Sequence, residues 1–129
     1  MGATPVADAV FHMAVGMGAG ALLGAPRLLS AWHRAAPLAG PIGRALIASY
    51  AVGFFAIVPN LLTTVGLPAT IHHAWWSNLF VLHGLIDRRE GGLLIGELGV
   101  AVQFVGQYLI ILLAIRRARL RAATRPPAR

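Results

Sequence analysis

Three apolar runs, at 6–25, 45–66 and 92–115, are each long enough to cross a bilayer, and segments rich in arginine, histidine or proline separate them. Twenty helical residues rise about 30 Å, the thickness of a hydrocarbon core. No Lys or Arg precedes the first run, whereas a signal peptide needs a positive start, so this run reads as a retained span. The second is interrupted only by Pro59 and Asn60. Between the first two, 26–44 holds Arg27, Arg34 and Arg44 with three prolines and reads as a short basic loop. The pattern predicts an all-α integral membrane bundle of three transmembrane helices in one domain, 1–129.

Residues 67–91 fit no span. Their apolar part, 75–86, is too short to cross, and extending it backwards takes in His72 and His73. On a helical wheel His73, Ser77, Gly84 and Arg88 share one face, while Trp75, Trp76, Leu79, Phe80, Leu82 and Ile86 cover the other. Adjacent tryptophans favour the headgroup region, so this segment predicts an interfacial amphipathic helix over about 72–87, with Trp75 and Trp76 as lipid-interface anchors. Asp87, Arg88, Arg89 and Glu90 form a polar cap of zero net charge before Gly91 and Gly92.

Charge orients the bundle. Arg116, Arg117, Arg119, Arg121, Arg125 and Arg129 crowd a basic tail, 116–129, directly after the third run. Segments rich in Lys and Arg stay cytoplasmic. With three spans the 26–44 loop and the tail both lie inside and the N-terminus outside; a fourth span would put one basic segment outside. Arg116, Arg117 and Arg119 are then expected at the lipid interface, and the setting expected is a bacterial inner membrane.

Composition agrees with that setting. The chain is 57% hydrophobic and 12% charged, with a mean hydropathy of +0.72, against roughly 25% charged residues in soluble domains. The net charge of +7 would suit nucleic acid, but the arginines sit at span ends rather than on a soluble surface. Topology and contact with anionic lipid account for them, and no nucleic-acid partner is expected. All eleven basic residues are arginine, which we read as codon bias of a GC-rich genome. With no cysteine, disulfides, thiolate metal sites and a cysteine nucleophile are excluded.

Each span has a face of small residues. Gly16, Gly20 and Gly24 form a doubled GxxxG, and Asp8 and His12 extend the same ridge outward. Such glycines carve a groove that lets another helix approach closely. In the second span Ala45, Ala48, Ser49, Val52, Gly53, Ala56, Asn60 and Thr63 share an arc. In the third, Gly92, Gly96, Gly99, Gln103, Gly106 and Gln107 fall within roughly 100°, at 100° per residue. The expected packing residues are therefore Gly16, Gly20, Gly24, Gly53, Asn60, Gly96, Gly99, Gln103, Gly106 and Gln107. Small faces packed together leave little room for a haem inside this chain alone.

Most other polar groups collect in the outer half. Asp8, His12, His72, His73, His83 and Glu97 are the candidate ligand or proton sites. Asp8 and His12 lie on one helix face, and a further histidine would complete a copper, zinc or iron site, with Met13 and Met17 suited to Cu(I). The plainer reading has Asp8 hydrated or orienting His12, the other histidines interfacial and the methionines packing. Asn60, Gln103 and Gln107 lie deeper, where interhelical amide bonds contribute roughly 0.6–2 kcal/mol. Glu97 is a functional candidate by depth, although it is close enough to the interface to reach it or an arginine such as Arg88.

No catalytic constellation is visible: the chain has no Walker loop, no G-x-S-x-G and no H-E-x-x-H. The expected function is a small non-catalytic accessory subunit packing against other integral membrane subunits, such as those of an energy-transducing complex. Two alternatives stand beside it. One is a self-assembling channel, transporter or pore, for which this topology is one that some holins share, by analogy alone. The other is a redox anchor sharing a haem, quinone or metal such as copper with a partner. The sequence requires no cofactor.

Overall fold

Helix α1 (Pro5–His33) runs through Pro26 without stopping. The structure, a computed structural model, describes residues 5–81 and 93–124, and all side chains there except those of 5–8, 72, 73 and 93. Pro26 removes one backbone hydrogen bond, a loss that membrane helices tolerate. Beyond it Leu28 and Ala31 pack on Leu38, Leu46 and Ile42, with Ile111 and Ala114 against the same cluster. That packing keeps 27–33 helical. The basic loop expected at 26–44 therefore shrinks to 34–38, because Arg27 and Arg44 both sit within helices.

α1 ends in a Schellman arrangement. Ala36 N–H donates to the Ala31 carbonyl (2.9 Å) and Ala35 N–H to that of Trp32 (3.2 Å), with Ala35 at φ 55°. This is the left-handed position usually given to glycine. An alanine there carries a steric cost that glycine does not. Ala35→Gly is expected to raise stability by up to about 1 kcal/mol, read as a shifted midpoint in reversible unfolding in micelles; a lower midpoint would contradict this account.

Helix α2 (Ala39–Ala56) opens on Gly40 and Pro41, and a proline in the first turn forfeits no intrahelical bond. It breaks at Ile57, and α3 (Val58–Thr64) succeeds it with Pro59 in its first turn. Pro59 has no N–H for the Phe55 carbonyl, so the span expected at 45–66 is divided. Thr63 Oγ1 and Thr64 Oγ1 both donate to the Asn60 carbonyl, at 2.8 and 2.9 Å. α3 closes with Gly66 at φ 102°, with Leu67 N–H on the Leu62 carbonyl and Gly66 N–H on that of Thr63.

The segment expected as one interfacial helix differs over its described part. Ala69–His73 and Trp75–Leu79 are two 3-10 turns. Ala74 between them is extended, at ψ 143°, and Val81 has φ 56°. Ser77 Oγ closes the second turn by donating to the Ala74 carbonyl at 2.7 Å. Trp76 stands edge-on to Phe80, and Phe80 stacks on Phe55 with ring centroids 4.7 Å apart. Aromatic contact with the end of α2 thus competes with helical continuity. Residues 82–87, His83 among them, lie outside the described residues.

Helix α4 (Leu93–Ala123) is longer than the span expected at 92–115, because the first arginines of the tail continue it as helix. Arg125 and Arg129 lie outside the described residues. The described residues contain no strand. Three helical stretches, Ala9–His33, Ala39–Ala56 and Leu94–Ala123, are long and apolar enough to cross a membrane, consistent with an integral membrane protein.

α1 lies centrally, packing extensively on α2 and less on α4, while α2 and α4 hardly touch. Gly16 meets Val52 and Ala56, and Gly24 meets Ala45, so α1 and α2 are antiparallel. Gly96 meets Phe11, and Gly99 meets Ala14, so α1 and α4 are parallel. α2 consequently ends, and α4 begins, at one end of the bundle, opposite Arg117 and Arg121.

Candidate functional site

A crevice opens between α2 and α4 because each of them packs mainly on α1 and touches the other at few points. Its floor is α1, at Gly18, Ala21 and Ala25; Ala45 and Ser49 form one wall, and Gln103, Gln107 and Ile110 the other. It encloses about 460 Å³, within the usual range for a small-molecule pocket. Its polar groups are one hydroxyl and two amides in an otherwise apolar lining.

Two of these tie the three helices together. Ser49 Oγ donates to the Met17 carbonyl at 2.9 Å, and Gln107 Nε2 donates to Ser49 Oγ at 3.1 Å. A hydroxyl can donate once and accept as well, so Ser49 links α4 to the α1 backbone through α2. The carbonyl has two lone pairs and keeps its helical bond. Gln103 Nε2 lies directly over Gly18, 3.1 Å from where a Cβ would stand. A side chain there would press on the amide.

Ser49→Ala is expected to cost about 1 kcal/mol, within the range of interhelical bonds in membranes. Combining it with Gln107→Leu should cost less than the sum, with a coupling of at least about 0.5 kcal/mol. Additive losses in reversible unfolding would show that the linkage contributes nothing as a unit.

Glycine seams hold the crevice floor in place. A Cβ on Gly16 would stand 2.7 Å from the Val52 carbonyl oxygen, and one on Gly24 2.6 Å from Ala45 Cβ. Gly53 faces Met17, which is fully buried. On the other seam Gly96 abuts the backbone of Phe11, and Gly99 the Ala14 side chain. Gly106 faces open space within this chain.

The ligand candidates are dispersed. His12 is only 1% exposed, one turn from Gly16 on the α1–α2 seam, with Phe11 edge-on to its ring. Asn60 is 5% exposed, and its Oδ1 is buried without a hydrogen-bond partner among the described residues. Glu97 is exposed on the outer side of α4. Asp8 lies in the first turns of α1, while His72 and His73 fall in the first 3-10 turn. Among the described residues no three His, Asp or Glu side chains gather as a metal-binding group.

At the opposite end, the structure gives α4 arginines a part that sequence reasoning missed. Arg117 Nη2 donates to the Trp32 carbonyl at 2.7 Å, and its guanidinium carbon sits 4.4 Å from the Trp32 ring centroid. Arg121 Nη1 donates to the Ala35 carbonyl. Both cap the negative end of α1, where cations are favoured. Arg116 and Arg119 point elsewhere and are exposed. The signal in the sequence was a tryptophan close to the end of α1; only the parallel register of α1 and α4 pairs it with Arg117.

Comparison with known protein families, characterised proteins and solved structures finds no match to this chain.

Proposed function

We propose that this protein is a small non-catalytic accessory subunit that packs, through the α2–α4 crevice, against a larger integral membrane complex such as an energy-transducing assembly. The crevice is the observation that carries the reading. Its floor is small enough for a helix to approach closely, and Gln103 offers an amide that gains most from a partner within the bilayer. α4 supports it as well, since no residue of its most apolar stretch is buried inside the chain. Such a helix is covered either by lipid or by another subunit.

In this reading the N-terminal end of α1 faces outward and the arginine end lies in the cytoplasm of a bacterial cell. Seven described arginines gather towards that end, namely Arg27, Arg34, Arg44, Arg116, Arg117, Arg119 and Arg121. A cytoplasmic reporter fused after Arg129 is expected to be active and a periplasmic one silent. The reverse result would invert the orientation.

The deciding experiment is native mass spectrometry of the protein extracted from its own membrane in mild detergent. Stoichiometric membrane subunits are expected, and a photo-crosslinking residue at Leu22, in the crevice, should join one of them. The same residue at Ile47, outside the crevice, should not. A homo-oligomer alone would overturn the accessory reading in favour of a pore or transporter, and a co-purifying haem or metal mass would favour the redox anchor.

A further inference from the structure

A second groove lies at the arginine end, between the 34–38 turn and the last turns of α4, and encloses about 840 Å³. Its walls are apolar, with Leu38 and Ile42 on one side and Ile111, Ala114 and Ala118 on the other. Among the described residues, the only charged ones lining it are Arg117 and Arg121. We propose that this groove seats one anionic phospholipid, with its phosphate on the two guanidinium groups and an acyl chain along the apolar walls.

Charge complementarity selects the occupant. Arg117 and Arg121 are four residues apart and so share a face of α4. No carboxylate pairs with either among the described residues, and the described acidic positions, Asp8 and Glu97, are at the far ends of α1 and α4. Each guanidinium carries five N–H donors in a fixed fork. The hydrogen bonds to Trp32 and Ala35 take one donor from each and hold the forks in place. Phosphate is the acceptor that planar arginine forks match best.

The rest of the groove requires a lipid rather than a free anion. From Ile111 to Arg121 is ten residues, or about 15 Å of helix, which leads from the apolar part of α4 to its basic end. An amphiphile with its charge at one end matches that gradient. Inorganic phosphate would leave the apolar walls uncovered, and a zwitterionic lipid would bring its own cation to the arginines. The start of α2 adds to the field: it has no side-chain cap and no acidic residue in its first turn, and its positive end opens on the groove at Ala39.

The test uses the full chain, delipidated in neutral detergent and given phosphatidylglycerol or phosphatidylcholine of identical acyl chains. Native mass spectrometry is expected to show one phosphatidylglycerol retained per chain, at tenfold or greater preference over phosphatidylcholine. Ala118→Phe, which fills the groove and keeps both arginines, should lower that occupancy at least tenfold with an unchanged melting temperature. Ala122→Phe serves the same purpose should the first variant not fold. Equal retention of the two lipids, or full retention in the filled-groove variant, would overturn the proposal. Displacement of the lipid by inorganic phosphate alone would also overturn it, because the headgroup would then suffice.

Discussion

Gly20→Leu is expected to separate α1 from α2 and to lower the yield of folded protein severely. A Cβ at this position would stand 2.6 Å from Ser49 Cα and would also meet the Ala48 carbonyl. Both are backbone atoms of α2, so no side-chain rotation relieves the clash. Overpacking a rigid contact costs about 1–3 kcal/mol or more, and even Gly20→Ala should show it. Displacing α2 would also pull Ser49 from the Met17 carbonyl and from Gln107. The crevice would lose its shape along with the seam. Gly43→Ala and Gly106→Ala are the matched controls, because an added Cβ at either meets nothing within 4 Å. These should be neutral, or stabilising by up to about 1 kcal/mol through helix propensity. The measurement is the unfolding midpoint of each variant in mixed micelles. Equal midpoints for Gly20→Leu and Gly106→Ala would remove the account of the α1–α2 contact.

The second large effect is expected at the arginine end. Replacing Arg117 and Arg121 together by alanine should free the end of α4 from α1. Charge-assisted hydrogen bonds contribute about 1.5–3 kcal/mol and cation–π contacts about 0.5–1 kcal/mol at exposed sites. The sites are partly exposed, so about 2–3 kcal/mol is expected for the pair. Replacing Arg116 and Arg119 removes the same formal charge and touches no α1 carbonyl. The chain has no cysteine, so spin labels at Ala36→Cys and Ala122→Cys report the separation directly. The distance distribution should broaden in the first double variant and stay narrow in the second. Equal broadening in both would mean that bulk charge, rather than the capping contacts, holds this end together.

The glycine seam and the arginine caps differ in how far the sequence reveals them. The small arcs of the first two spans are readable from residue spacing, since glycine or alanine every fourth position lies on one side of a helix at 100° per residue. Which helix meets that side is a tertiary matter. Gln107 illustrates the limit: its depth in the third span is evident from the sequence, yet its partner, Ser49, lies 58 positions away. Nothing local links the two. The same holds for Arg117 and Trp32, 85 positions apart.

Helix boundaries are less legible than helix faces. Pro26 and Pro59 look alike in sequence, each a proline within or beside an apolar run, but α1 continues through the first and α2 breaks just before the second. The difference lies in the residues C-terminal to each proline. Leu28 and Ala31 find Leu38 and Ile42 to pack against, which maintains the helix past Pro26. After Pro59 the chain turns towards the end of the bundle, where Asn60 and the two threonines satisfy a short new helix. Local propensity penalises both prolines equally, and tertiary contact decides the outcome.

The sequence by itself determined the helical class and the three stretches long enough to cross a membrane, because burying backbone in hydrocarbon leaves a helix as the only local solution for so short an apolar chain. It also determined which faces are small, since that is a matter of periodicity. Only the tertiary structure decided that α1 is the central helix, that α2 and α4 meet at few points, and that a largely apolar crevice with three polar side chains and an arginine-ended groove lie between them. Those features depend on which close approach is sterically allowed across tens of residues, and no local pattern records it.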